Sequence, residues 1–157
     1  RHLAMQFENR QVEKIYHAVV EGIQDFQSLL VDRNLAANNK GIAKVSKDGK
    51  PAQTVVHTLK TYFAHSLLSC SPITGRLHQI RVHLSSQGYP IVGDDKYGDF
   101  SLNKRLAAQG LKRMFLHAWR LQFIHPSLGK PQTLQADLPP ELQQFVDHVQ
   151  PPPPAPI

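Results

Sequence analysis

The stretch that decides the fold is SPITGRLHQIRVHLSSQGYPIVGDDKYGD, Ser71 to Asp99. Pro72 to Gly75 reads as a loop, and the periodicity beyond it predicts a helix from Leu77 to Gln87, with Gly88 as its C-terminal stop. Positions 77, 80, 81 and 84 share one face of such a helix, a stripe of Leu77, Ile80, Arg81 and Leu84. The segment after it, Tyr89 to Phe100, is dense in Gly and Asp and reads as a loop.

Upstream, Ala52 to Tyr62 and Ala64 to Cys70 read as two strands of a hairpin. Val12 to Val20 is a β-rich run closed by Glu21-Gly22. In it Ile15, His17 and Val19 face one side, and Tyr16, Ala18 and Val20 the other. Asp32 to Lys50 is polar, with a turn at Asp48-Gly49, and Arg1 to about Gln11 reads as part of an amphipathic helix. Downstream come a short helix from Leu102 to Gln109, a strand from Met114 to Ile124 and a turn at Pro126 to Lys130. A strand from Gln132 to Ala136 and a helix from Pro139 to Val149 follow. Strands joined by short turns favour antiparallel pairing, so the expected class is α+β: a mixed, mostly antiparallel sheet flanked by helices. Residues 1–150 form one domain on this reading, and 151–157 a flexible proline-rich tail.

Composition narrows the function classes. Lys and Arg outnumber Asp and Glu 18 to 12, an excess that suits a phosphate-bearing partner. A single cysteine, Cys70, excludes a disulfide framework and favours a cytoplasmic protein. No apolar run is long enough to span a bilayer, and no signal-peptide core is present.

Arg81 stands among core-facing residues. It either carries its charge out to solvent along its stem or needs a carboxylate or phosphate, because an unpaired buried charge costs several kcal/mol. The sequence offers no obvious carboxylate for it. His78 and His83 either meet phosphate or cap and pack. Five residues apart, they do not present two imidazoles on one helical face, and no HExxH or HxH pattern occurs, so no metal site is expected from the nine histidines. Asp94, Asp95 and Asp99 could hold Mg²⁺ in a nuclease, or cap backbone amides in a turn. No GxxxxGK[ST] or GxSxG motif is present.

In order along the chain, VEKIYHAVVEG (Val12–Gly22), DGKPAQT (Asp48–Thr54), the Ser71–Asp99 block and MFLHAWRLQFIHPSLGKP (Met114–Pro131) resemble the RluA-type family of pseudouridine synthases. The likeness is strongest to its large-subunit ribosomal RNA branch. The resemblance implies an RNA enzyme needing neither cofactor nor metal. It breaks the C1′–N1 bond of uridine, turns the uracil and rejoins it through C5. It implies catalytic roles for Tyr16, against the target base, and Arg81, which in the family pairs with an aspartate of an HRLD-type motif. It places Leu116 in the uracil pocket, and Arg76, His78, Gln79 and His83 in site structure or RNA contact. No HRLD or RLD occurs in the chain, so a catalytic domain truncated on its N-terminal side, inactive by itself, is the expectation. The competing expectation is an RNA-binding fragment that does not isomerise uridine. Lys96, Lys104, Arg105, Lys112 and Arg113 are candidates for a phosphate-facing edge, and a monomer is expected.

Overall fold

The computed structural model describes residues 12–24, 26–125 and 128–149. Its strands are β1 (Glu13–Glu21), β2 (Ser28–Asp32), β3 (Leu35–Ala37), β4 (Ala43–Val45), β5 (Gln53–Thr61), β6 (His65–Pro72), β7 (Leu116–Ile124) and β8 (Pro131–Gln135). Its helices are α1 (Gln79–Ser86), α2 (Phe100–Ala108) and α3 (Pro140–His148). Six strands form one sheet in the order β2-β5-β6-β1-β7-β8, every pairing antiparallel, while β3 and β4 make a separate hairpin. The class is α+β with a mostly antiparallel sheet flanked by helices, as the sequence implies.

β1 is central and buried on both faces, which is why its Ala18-Val19-Val20 run is continuously apolar. Alternation sends Ala18 and Val20, with Tyr16, toward a core built with Val56, Leu68, Ile80 and Leu84. Val19 points the other way, to Val92, Leu106, Phe115 and Leu142. Helix α1 therefore covers one face of the sheet, and α2 and α3 cover the other. No helix among the described residues is long and apolar enough to cross a membrane.

Two expectations need correction, and the polar stretch Asp32–Lys50, given no element beyond its Asp48-Gly49 turn, proves to be structured. Its end residue Asp32 closes β2, and the stretch folds into the β3–β4 hairpin, whose buried residues Leu35 and Ala43 are too few to give a readable alternation. The apolar stripe of α1 is wider than one face. Leu77 lies outside the helix and is 43% exposed, while Gln79, Val82 and His83 are buried along with Ile80 and Leu84. The hairpin is the cause: Leu35, Ala43 and Ala52 pack on Val82, so α1 is sandwiched between sheet and hairpin. Helix α2 begins at Phe100, because the Asp99 carboxylate accepts the Leu102 amide at 3.1 Å and caps it there. The opening helix over residues 1–11, the turn residues 126–127 and the tail 151–157 lie outside the described residues.

Candidate active site

A cleft of about 300 Å³ opens where β1, the 72–76 loop, the start of α1 and the start of β7 meet. Tyr16, Arg76, His78, Gln79, Arg81 and Leu116 line it, six of the seven site residues read from the sequence, together with Lys14 and Ile80. The side chains come from segments spread over a hundred residues of chain. A larger cavity of about 560 Å³ on the other face of the sheet, around His65 and Phe145, is lined by none of the seven.

Sheet geometry positions Tyr16 and Leu116. Tyr16 stands opposite Ala118 across the β1–β7 pair, and Ala18 stands opposite Leu116. A bulge between Ile15 and Tyr16 changes the register at the site, a common device for re-aiming a side chain.

The loop before α1 is pinned by Gln79, which is 5% exposed. Its carbonyl oxygen accepts from Thr74 Oγ1 at 2.5 Å and the Arg76 amide at 3.1 Å. Its amide nitrogen donates to Gln53 O at 2.8 Å and Thr54 Oγ1 at 3.0 Å. With its amide fully committed, Gln79 fixes the cleft wall rather than reaching a ligand. Arg76, half-buried and held by Nε to Pro51 O at 2.9 Å, lines the cleft.

Of the readings open for His83, the structure shows packing: it is 0% exposed, and both ring nitrogens are taken. Its Nε2 lies 2.9 Å from Arg33 O, a carbonyl that only accepts, so Nε2 carries the proton. Its Nδ1, 2.8 Å from Thr54 Oγ1, then accepts the hydroxyl hydrogen. Burial lowers its pKa, opposed by the bond to the Arg33 carbonyl.

His78 is not on the helix. It precedes α1 at φ 52°, ψ 30°, the sole non-glycine with positive φ among the described residues. Such left-handed backbone costs a side-chain-bearing residue of order 1–3 kcal/mol and is found where surrounding contacts enforce it. Here the enforcing contact is Tyr97, whose hydroxyl lies 2.7 Å from His78 Nδ1 and accepts the Ala43 amide at 3.0 Å. Burial, then the nearby Arg81 charge, lowers the His78 pKa.

Arg81 has its carboxylate within the chain, contrary to expectation. Asp94, 1% exposed, accepts from Arg81 Nε at 2.9 Å and Nη2 at 2.8 Å, and also from the amides of Lys96 and Tyr97 at 3.0 and 3.1 Å. The Arg81 guanidinium, 13% exposed, sits 5.0 Å over the Tyr97 ring. The hydrogen bond it donates to Asp94 raises the Arg81 pKa. Burial pushes Asp94 upward, but the bonds from Arg81, Lys96 and Tyr97 outweigh it and hold the carboxyl below its usual range. Gly98 lets the turn after Asp94 close, since a Cβ there would meet the Asp94 backbone carbonyl.

The same geometry removes the metal-loop reading of Asp94, Asp95 and Asp99. Asp94 is committed to Arg81, Asp99 caps α2, and Asp95 is 90% exposed beside the pair. Their carboxylates do not converge, and no cluster of metal-ligating side chains forms among the described residues.

Sequence reasoning missed Asp94 and Tyr97 as parts of this site, although both lie in the Ser71–Asp99 block. Their only sequence signal is their place in a Gly- and Asp-rich loop following the helix.

The model of one family, RNA pseudouridylate synthase, matches residues 1–86. The chain is 40% identical over 145 residues to ribosomal large subunit pseudouridine synthase C of Vibrio cholerae, covering 92% of this chain and 46% of that protein. It is 38% identical to the protein of the same name from Escherichia coli K12, covering 88% and 45%. The chain thus spans about half the length of the curated relatives it matches. Among solved structures it resembles human RNA pseudouridylate synthase domain containing 4, with TM-score 0.75 and 25% identity, covering 97% of this chain and 68% of that one. Human RNA pseudouridylate synthase domain containing 1 gives TM-score 0.68 and 26% identity, covering 96% and 71%.

Proposed function

Because the chain belongs to the RNA pseudouridylate synthase family, we propose that it serves the isomerisation of uridine to pseudouridine in RNA, with the uracil held in the 300 Å³ cleft. Large-subunit ribosomal RNA is the substrate on this reading, which the names of the relatives support. The observation that carries it is the convergence of Tyr16, Leu116 and Arg81 on one cleft.

The reaction breaks C1′–N1 and makes C1′–C5. The proton on C5 is lost and N1 gains one, so nothing is added or removed overall. What the protein must supply is a place for a base out of its stack and a carboxylate at the sugar. Tyr16 gives the uracil a flat face, with Leu116 and Ile80 as apolar wall. Arg81 spends Nε and one Nη2 hydrogen on Asp94, which leaves Nη1 to meet an anion entering the cleft. The aspartate that acts at the sugar in this family is assigned to no residue here, since the chain contains no HRLD.

The test uses large-subunit ribosomal RNA labelled with tritium at uridine C5. It is incubated with this chain and with the chain joined to an HRLD-bearing segment of the family. Release of tritium to water by the joined chain, lost on Arg81→Ala, is expected. No release by the joined chain, with the protein folded, overturns the assignment.

A further inference from the structure

We propose that the β3–β4 hairpin and the loop that follows it form a phosphate-binding finger, which grips the RNA backbone beside the nucleotide held in the cleft. The proposal rests on the RNA reading above and adds a docking surface to it.

Charge comes first. Arg33 to Lys50 carries five cations, Arg33, Lys40, Lys44, Lys47 and Lys50, against one acid, Asp48: a net +4 of the chain's +6. All five cations are exposed, and among the described residues none is within ion-pair distance of a carboxylate. Five like charges without partners repel one another, and a polyanion relieves that repulsion while releasing its own counterions. The cations proposed from sequence alone, Lys96, Lys104, Arg105, Lys112 and Arg113, are spread over α2 and its flanking loops, and do not share one short finger.

The mounting comes second. An exposed basic loop is commonly a solvated tail of charge, but this hairpin is fixed to the site. Leu35 and Ala43 are buried against Val82 of α1, so alternation along β4 turns Lys44 away from the protein. The Ala43 amide donates to Tyr97 Oη, which bonds His78 and lies under Arg81. At the base of the finger, the Arg33 carbonyl accepts from His83 of α1. The finger and the cleft are thus tied to the same helix.

Continuity comes third. A second hollow, of about 480 Å³, lies under the finger between Leu35, Lys50 and Gly75, and Arg76 lines both it and the cleft. A strand running from cleft to finger would pass Arg76 first. A nucleic acid fits this path better than an acidic polypeptide, because the path begins at a cavity sized for one base.

The experiment measures binding of an RNA stem-loop with an unpaired uridine in its loop between 50 and 200 mM NaCl. It compares the chain, its Lys40→Gln/Lys44→Gln/Lys47→Gln variant and a control, Lys104→Gln/Arg105→Gln/Lys112→Gln. The three finger lysines are exposed, so the variant leaves the packed core intact. Each phosphate contact contributes about 0.7 to 0.9 to the slope of log K against log salt. The finger variant should therefore flatten that slope by roughly 2 to 3, and the control should leave it unchanged. An unchanged slope in the finger variant overturns the finger alone, as does poly-glutamate competing as well as the RNA. Failure of the unaltered chain to bind RNA overturns the functional reading as well.

Discussion

Asp94 holds Arg81 by both oxygens of its carboxylate, Oδ2 accepting from Nε at 2.9 Å and Oδ1 from Nη2 at 2.8 Å, with the aspartate 1% exposed and the arginine 13%. Two parallel bonds fix the plane of the guanidinium as well as its position. Tyr97 lies beneath that plane, and the cleft is beside it.

Asp94→Asn should lower stability by about 2–4 kcal/mol, because it leaves a largely buried cation without its charge partner. Urea unfolding of the two proteins measures it. Asp95, 3.7 Å from Arg81 Nη2 but 90% exposed, recovers little of the loss.

Acid should weaken the fold in two stages. His83 has a lowered folded-state pKa, so its contribution is complete above the ordinary histidine value of about 6.5 and is lost as pH falls toward the lower folded value. Asp94 is also depressed, so its contribution is complete above the ordinary carboxylate value of about 3.9 and is lost as pH falls through its lower folded value. Melting temperature between pH 8 and pH 2 follows both stages, and Asp94→Asn should remove much of the second.

His78 allows a separation of strain from bonding. His78→Ala keeps a side chain at φ 52° and loses the bond to Tyr97, whereas His78→Gly loses the same bond and relieves the backbone. His78→Gly should therefore be the more stable of the two by about 1 kcal/mol. Equal stabilities would mean that the left-handed turn carries no strain. Thermal unfolding of the two variants decides.

Arg81→Lys keeps a positive charge but loses the planar fork that Asp94 fixes. In the chain joined to an HRLD-bearing segment, tritium release should fall about 100-fold, the usual effect of a displaced catalytic group. A fall of less than threefold would show that only the charge at this position matters.

Much of this site was legible because the chemistry-bearing residues are concentrated in short blocks: one strand, one loop-helix segment and one strand start. Six of the seven residues named from them do meet at the cleft. His83 was left between ligand contact and packing because a histidine inside a block looks the same whether it faces a ligand or Thr54. Only the hairpin folded over α1 decides, and β3 and β4 are three residues each, too short for period-2 alternation to register. The same hairpin widened the buried side of α1 beyond the stripe that 3.6-residue periodicity picks out. The Arg81–Asp94 pair was invisible for a different reason. Its members are thirteen residues apart, and the chain between them leaves the helix at Gly88 and turns back through residues 89–93, a path that no periodicity encodes.

The most direct measurement adds the uridine stem-loop to isotopically labelled chain and follows which residues change their NMR signals. The account predicts shifts at Tyr16, Arg76 and Leu116 around the 300 Å³ cleft, with His65 and Phe145 of the larger cavity unmoved. Shifts confined to His65 and Phe145, with the cleft residues unmoved, would contradict it.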